Sequence, residues 1–210
     1  MKTRKLFFPA VVALAMIAVS CSQGNQKQTS ESASEAKTAV EISSVNLDPA
    51  KSMVIWSGTM LGIYTHDGTL DLSQAELALD DGKISGGSFT VDMNSMVATD
   101  ENYNPEEGST PEKLIGHLKS PDFFDVENYP TATFIITSAD ANTVSGMLTI
   151  RGITHEEIVQ NVSMAKDGGQ VKITGDMTIS RKKYDVSWDS PMQDRVLSDD
   201  IKLEIRLIGK

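Results

Sequence analysis

A two-residue alternation of apolar and polar side chains constrains the fold of this 210-residue chain more than any other feature. It is clearest in residues 170–180 and 197–208. In the first segment one face carries Val171, Ile173, Gly175, Met177 and Ile179. In the second segment one face carries Ile201, Leu203, Ile205 and Leu207. Successive side chains of a β-strand point to opposite faces, so the pattern predicts strands with one buried and one solvated face.

Weaker alternation and turn residues extend this prediction to seven or eight strands. The further candidate strands are residues 51–58, 75–80, 83–93, 131–138, 144–152 and 154–164. Asp81-Gly82 is a strong two-residue hairpin signal, 166–169 predicts a second short turn, and Asp67-Gly68 predicts a third. Short turns favour antiparallel neighbours over a parallel α/β sheet. The pattern alone allows either a two-sheet sandwich or a closed barrel.

One segment interrupts the strands. The sequence Ser109-Thr110-Pro111-Glu112 has the form of a helix capping box with proline near the first helical position. Leu114, Ile115 and Leu118 follow at the spacing of one buried helix face. A second brief turn begins at Pro121 and carries two phenylalanines. We expect this insert to cover one end of the sheet.

The first forty residues have the pattern of an acylated leader and tether. Basic residues precede an apolar run that is too short to span a membrane, which indicates a secretory signal peptide over residues 1–20. The sequence Ala18-Val19-Ser20-Cys21 predicts processing as a lipoprotein and lipidation of Cys21, for example by palmitate, in preference to ordinary secretory cleavage. Residues 21–40 are polar and predict a flexible tether, which leaves 41–210 as one folded domain.

Charge and cysteine content narrow the possible partners. The formal net charge is −10 and becomes more negative once the basic leader is removed. An acidic chain without a basic cluster repels phosphate backbones, so we expect no nucleic-acid partner. Cys21 is the only cysteine, which excludes an internal disulfide.

Catalytic and metal-binding patterns are weak. His66, His117 and His155 lie in separate segments without the spacing of a metal site, so no metal or other cofactor is expected. No nucleophile elbow occurs, and Ser120 near His117 has no acidic third member at a meaningful spacing. The sequence therefore predicts a protein that is not an enzyme.

Four segments resemble the YceI-like family of bacterial periplasmic proteins. The strongest is HLKSPDFFDVENYPTATF at 117–134, supported by LTIRGITH at 148–155, GDMTISRKKYDVSW at 175–188 and LSDDIKLEIRLI at 197–208. The resemblance implies an all-β fold, a closed antiparallel eight-stranded lipocalin-like β-barrel with a short helical lid. It also implies that the barrel of domain 41–210 encloses a long apolar lipid such as a polyisoprenoid. Because some members of the family form pairs, a homodimer is an open alternative.

The resemblance turns the apolar strand faces from an ordinary core into expected pocket walls. The predicted ligand-binding residues are Val54, Trp56, Phe124, Phe134, Ile136, Leu148, Ile150, Ile173, Met177, Ile179 and His117. His117 could equally meet a polar head group or serve the lid. For Arg151 an ion pair with a buried carboxylate is favoured over a head-group contact.

The free energies of burial and association favour a long lipid. Each buried methylene contributes about 0.8 kcal/mol, whereas association costs on the order of 4–15 kcal/mol, so roughly fifteen buried carbons are needed for micromolar affinity. We expect storage, shielding or transport of a polyisoprenoid, isoprenoid quinone or fatty-acid derivative in the envelope of a Gram-negative bacterium. The protein would face the periplasm from an acyl anchor, with Ser22 after Cys21 favouring the outer membrane. The alternative is a structural or stress-related envelope protein with a filled barrel and no ligand.

Overall fold

The computed structural model describes residues 42–190 and 196–210, which form one antiparallel sheet and one α-helix. The strands are β1 (Ile42–Val45), β2 (Met53–Met60), β3 (Tyr64–Asp80), β4 (Lys83–Ala98), β5 (Thr131–Ala139), β6 (Val144–Ile150), β7 (Ile153–Asp167), β8 (Gln170–Ser180) and β9 (Leu197–Gly209). The helix α1 spans Pro111–Lys119. Short 3-10 turns occupy Pro49–Lys51, Pro105–Glu107 and Arg181–Tyr184.

The sheet closes on itself. From β2 to β9 each strand pairs with the next along the chain, and β9 also pairs with β2. This last pairing closes the ring. Strand β1 adds no further position to this ring, because it pairs with β3 beyond the part of β3 that β2 occupies. The predicted closed eight-stranded antiparallel barrel with one short helix is therefore confirmed, and the sandwich is excluded. Closure leaves the ring without free strand edges.

One end of the barrel carries only short connections and is filled. The hairpin of β3 and β4 turns at Asp81 and Gly82, whose φ angles of 48° and 73° are those of the predicted two-residue turn. The turn at Gly168-Gly169 joins β7 and β8 at the same end. Apolar side chains close the interior there, namely Val45, Leu47, Leu72, Leu77, Leu79, Val171, Ile173 and Leu207. We call this group the plug.

The opposite end carries the long connections, and we call it the helix end. The segment between β4 and β5 contains α1, as the capping residues and apolar spacing predict. The N-cap is Thr110, whose hydroxyl accepts a 3.3 Å hydrogen bond from the amide of Lys113. The cap therefore lies one residue later than a capping box starting at Ser109 would place it. Among the residues described, no helix combines the length and the apolar character that crossing a membrane requires.

The prediction of a turn at Asp67-Gly68 is wrong. Both residues lie inside β3, and the chain turns instead at residues 61–63, with Gly62 at a φ of 73°. Gly68 pairs with Trp56 of β2, and a Cβ at Gly68 would lie 2.3 Å from the Trp56 ring. Glycine is thus required here because the Trp56 indole packs against the strand. A contact with another strand is not visible in a local Asp-Gly turn pattern.

Candidate functional site

A cavity of about 350 Å³ lies inside the barrel, between the plug and the helix end. This volume is at the lower end of the range of about 300–1,000 Å³ that small-molecule sites occupy. All the residues that the sequence predicted as pocket walls line it: Val54, Trp56, Phe124, Phe134, Ile136, Leu148, Ile150, Ile173, Met177, Ile179 and His117. The structure thus brings together side chains from four strands, β2, β5, β6 and β8, and from the lid region around one space.

The alternation of each strand explains this convergence. Along β8, Ile173, Met177 and Ile179 are buried and line the cavity, whereas Asp176 and Thr178 between them are exposed. The same parity holds on β6, where Leu148 and Ile150 face inward. A closed barrel directs one face of every strand to a shared interior, so a pattern set by neighbouring residues becomes a continuous apolar wall.

The insert between β4 and β5 forms the lid over the helix end. Leu114 and Leu118 of α1 and Phe124 of the following turn line the cavity. Backbone hydrogen bonds hold the turn against α1, because Phe124 N donates to Leu118 O at 3.1 Å and Val126 N donates to Lys119 O at 3.0 Å. The ammonium group of Lys119 also donates to Asn94 O of β4 at 2.7 Å and fixes the lid to the barrel wall.

A polar group, centred on Asp100, lies beside the cavity at the helix end. His66 and Tyr64 line the cavity, and the His66 ring stacks on Tyr103 with centroids 4.8 Å apart. The Asp100 carboxylate lies 3.0 Å from His66 Nδ1 and accepts from Tyr103 OH at 3.0 Å. Backbone N–H groups of Asn102 and Asp67 complete its partners.

Two pKa values shift in this group. Burial raises the pKa of Asp100, but the hydrogen bonds from the Asn102 amide, the His66 ring and other donors outweigh it and hold the pKa below its ordinary value. Burial and the neighbouring Asp100 carboxylate raise the pKa of Tyr103. The group therefore presents an ionised carboxylate whose lone pairs are engaged by protein donors.

His117 faces the cavity from α1 among aromatic rings. Its ring centroid lies 4.7 Å from that of Trp188 and 5.6 Å from that of Phe123, both in edge-on arrangements. Ser120, the neighbouring hydroxyl considered for catalysis, donates to the backbone carbonyl of His117 at 2.8 Å and not to its ring. The local geometry therefore does not form a serine–histidine pair.

Arg181 is a site residue that the sequence reading missed. Its side chain is 1% exposed and lines the cavity beyond the end of β8. The guanidinium donates to the carbonyl oxygens of Val186, Trp188 and Ser198 at 2.8, 2.6 and 3.0 Å. It also contacts Asp189 at 3.0 Å and Asp199 at 3.2 Å. The sequence does contain a signal for this residue, because position 181 continues the two-residue alternation that directs Met177 and Ile179 to the interior.

The expected partner of Arg151, a buried carboxylate, is wrong. Arg151 donates to the backbone carbonyl of Asp185 at 2.5 Å, and it forms no ion pair with a buried carboxylate in the described part of the chain. Glu157, a buried carboxylate of β7, accepts instead from Lys183 Nζ at 2.9 Å and from Tyr184 OH at 3.1 Å. Burial and the Glu157 charge raise the pKa of Tyr184.

The three histidines lie in different surroundings. His155 contacts the carbonyl of Lys183 at 2.9 Å, away from His66 and His117. Within residues 42–190 and 196–210, no three histidine, cysteine or acidic side chains are grouped as metal ligands. Cys21, the predicted lipidation site, lies outside the described residues.

The match to a family model decides the classification. Residues 45–208 match the model of the YceI-like domain, which covers most of the chain. The chain belongs to the YceI-like family. The four segments that carried the resemblance lie within this match, and they supply parts of strands β5–β8, nearly all of β9 and the C-terminal part of the lid.

Individual proteins are also similar to this chain. The chain is 38% identical over 98 residues to a UPF0312 protein of Staphylococcus aureus strain USA300, covering 42% of this chain and 56% of that protein. The chain thus spans about half the length of the curated relatives that it matches. The structure is similar to BcnA of Burkholderia cenocepacia, with a TM-score of 0.62, 23% identity, and coverage of 79% of this chain and 100% of BcnA. That similarity shows a shared fold.

A second solved structure is a polyisoprenoid binding domain from Saccharophagus degradans implicated in plant cell wall breakdown. It shares 12% identity with this chain at a TM-score of 0.49, covering 81% of this chain and 99% of that one.

Proposed function

We propose that this YceI-like protein binds one long-chain apolar lipid inside its barrel and stores, shields or transports it in the bacterial cell envelope. The observation that carries the proposal is the cavity of about 350 Å³ with its apolar walls. Such a space favours an apolar ligand. A polar ligand would give up hydrogen bonds to water that few of the lining side chains can replace.

Length selects the ligand class. Burial contributes about 0.8 kcal/mol for each methylene, and a ligand must first offset an association cost on the order of 4–15 kcal/mol. A slender chain of roughly fifteen or more carbons meets this requirement, whereas a short acyl chain does not. Isoprenoid lipids, isoprenoid quinones and long fatty-acid derivatives belong to this class.

The polar end of the lipid belongs at the helix end. The plug fills the opposite end with aliphatic side chains, whereas His66, Tyr64 and His117 line the cavity near the lid. A head group placed there keeps polar neighbours while its tail occupies the apolar interior.

The cavity argues against the alternative of a filled, ligand-free barrel. Large side chains meeting across the axis would leave no space, yet Leu148 of β6 and Met177 of β8 line one cavity. Binding is also favoured over hydrolysis, because the Ser120 hydroxyl is engaged by a backbone carbonyl.

We place the protein at the membrane through diacylated Cys21, facing the periplasm and sorted to the outer membrane. The lipoprotein motif before Cys21 and Ser22 after it support this placement. Growth with an alkyne palmitate should label the wild-type protein and not a Cys21→Ser variant. Equal labelling of the two, or none of the wild type, would contradict the anchor.

Native mass spectrometry of the mature protein tests lipid binding. Ala132 and Ile135 lie on β5, but Ala132 lines the cavity and Ile135 is 54% exposed. We expect a copurifying or added polyprenyl lipid to bind the wild type and Ile135→Phe, and to be displaced from Ala132→Phe by the ring that enters the cavity. Wild-type protein that copurifies without lipid and ignores added polyprenyl and quinone lipids would refute the function.

A further inference from the structure

An exposed apolar patch lies beside the cavity, on the turn between β2 and β3. Leu61 and Ile63 of this turn are 52% and 48% exposed, and Val196, just before β9, is 56% exposed. The amide of Leu61 donates to Val196 O at 2.8 Å, so the two segments lie side by side. We call these three residues the rim patch. Exposed apolar side chains that cluster next to a pocket are typical of interaction sites.

The rim patch adjoins the wall of the cavity. Met60 and Tyr64, which flank the turn, line the cavity, and so does Leu197, which follows Val196. Met60 pairs with both Tyr64 and Leu197, where β2 ends and β9 begins at the helix end of the barrel. The exposed patch and the cavity wall are thus formed by neighbouring residues of the same two segments.

The charge distribution favours a neutral surface as the partner of the patch. The sequence carries no lysine, arginine, aspartate or glutamate over residues 52–65, although 23% of the chain is charged. The turns at the plug end differ, because residues 80–83 and 166–169 carry three and two charged side chains. On the β9 side, Arg195 and Asp199 flank the apolar residues in the sequence with opposite charges.

A protein partner fits the rim patch less well than a bilayer does. Hot spots of protein interfaces are enriched in Trp, Tyr and Arg, whereas the patch consists of Leu, Ile and Val. A stable protein interface also buries about 800 Å² on each partner, and three aliphatic side chains supply only a fraction of that area. A shallow contact with the interface of a bilayer needs no such area when an acyl anchor keeps the membrane close.

The anchor proposed at Cys21 permits this contact. Strand β1 begins at Ile42, which pairs with Asp80 at the plug end. The 21 residues between Cys21 and Ile42 reach at most about 70 Å, whereas β3, the longest strand, has 17 residues and is about 56 Å long. The chain before β1 is therefore long enough to reach a membrane that the helix end contacts.

We propose that the rim patch docks the helix end of the barrel on a neutral phospholipid bilayer, with Leu61 and Ile63 buried at its interface. The purpose of this contact rests on the proposed function, since a lipid that leaves the bilayer at the patch reaches the cavity without crossing bulk water. The contact is hydrophobic, so it should persist in high salt. At low salt the acidic protein should bind less to vesicles that contain phosphatidylglycerol.

Fluorescent probes test the orientation. The mature chain with Cys21→Ser has neither a cysteine nor an acyl anchor, so Ile63→Cys, Ile135→Cys or Lys83→Cys then takes a single NBD label. These positions lie on the rim patch, on the outer wall and at the plug end, and all three are exposed. With phosphatidylcholine vesicles, NBD emission should intensify and move to shorter wavelengths at residue 63 alone. A response at residue 83, at all three positions or at none would overturn the docking.

Flotation of the unlabelled Cys21→Ser protein with the same vesicles gives the magnitude. Ile63→Ser should weaken the partition about fivefold, because the exposed half of this side chain no longer enters the bilayer. Ile135→Ser removes a similarly exposed side chain from the outer wall and should change nothing. Equal effects of the two substitutions, or loss of binding in high salt, would contradict the proposal. So would a dimer in sedimentation that Ile63→Ser abolishes, since the patch would then bind a second copy.

Docking and lipid binding fail in distinguishable ways. Native mass spectrometry with a polyprenyl lipid measures binding in the cavity without vesicles, and flotation measures docking without a bound lipid. If the lipid binds but the protein ignores phosphatidylcholine vesicles, the docking is refuted and the proposed function stands. If residue 63 enters the vesicles but no lipid binds, the docking stands and the proposed function fails.

Discussion

Arg181 organises the chain between β8 and β9. Its guanidinium binds the backbone carbonyls of Val186 and Trp188 in this connection and that of Ser198 at the start of β9. The planar group with five donors suits this task better than an ammonium would. The residue therefore acts mainly as a scaffold beside the cavity.

Replacing this arginine should be costly. Arg181→Met leaves buried carbonyl oxygens unpaired, and we expect the free energy of unfolding to fall by about 3 kcal/mol in urea titrations. Lys182→Met is the matched control, because Lys182 also contacts Asp199, at 3.0 Å, but is 46% exposed. It should cost less than about 1 kcal/mol. Similar losses in the two variants would contradict the scaffold role.

Asp100 should make stability depend on pH. Its folded pKa is lowered, so its contribution is present above the unfolded value of about 3.9 and is lost as pH falls through the folded pKa. We expect Asp100→Asn to reduce stability at pH 7 by about 1–3 kcal/mol and to show a smaller decline than wild type below about pH 4. Urea unfolding midpoints of both proteins, measured between pH 7 and below about pH 4, check this expected difference.

The exposed Asp140 supplies the control for this comparison. Asp140→Asn should follow the wild-type curve. If Asp100→Asn declines as steeply as wild type, the hydrogen bonds of Asp100 do not stabilise the fold in the way described.

At the scale of the elements, glycines decide how closely neighbouring strands and rings approach. Gly146 of β6 pairs with Ile136 of β5, and a Cβ there would lie 2.4 Å from the Phe134 ring and 2.6 Å from Ile135 O. The ring of Phe134, which lines the cavity, thus occupies the space above the glycine. Gly86 of β4 has no atom within 4 Å of the equivalent point.

These two glycines should respond differently to alanine. Gly146→Ala should cost about 1–3 kcal/mol, because the Ile135 carbonyl belongs to a paired strand and cannot move freely. Gly86→Ala should be neutral or raise stability by up to about 1 kcal/mol through a less flexible unfolded chain. Urea unfolding of the two variants measures the difference. A neutral Gly146→Ala would mean that β5 and β6 can separate easily.

At the scale of the whole molecule, the barrel has a cavity in the place of a fully packed core. A closed ring with a plug at one end and a lid at the other can leave its middle open, because strand pairing continues around the wall whatever fills it. The open middle lowers stability when empty, since its lining lacks packing partners.

A bound lipid should therefore raise the melting temperature. A lipid at a hundred times its Kd contributes about 2.7 kcal/mol, which corresponds to roughly 5–10 °C for a domain of this size. Delipidated protein with an added isoprenoid quinone should show this increase in a thermal scan, as should Ile135→Phe. Ala132→Phe should show little. An equal increase in both variants would place the lipid outside the barrel.

The sequence by itself determined which residues face the interior. Alternation depends on neighbours along the chain, so Ile173, Met177 and Leu148 could be assigned to one side of their strands before any partner was known. The capping residues likewise predicted α1, although its N-cap at Thr110 depended on which hydroxyl accepts from the Lys113 amide. Family motifs, not periodicity, chose the barrel over the sandwich.

Only the tertiary structure decided the pairings between distant segments. The misread turn at Gly68 arises where β2 and β3 meet, and Arg181 binds carbonyls as far as 17 residues along the chain. The energies of these contacts come from packing and hydrogen bonding across strands, which local pattern does not encode. The sequence thus determined an apolar inner face, and closure of the sheet made that face the wall of a cavity.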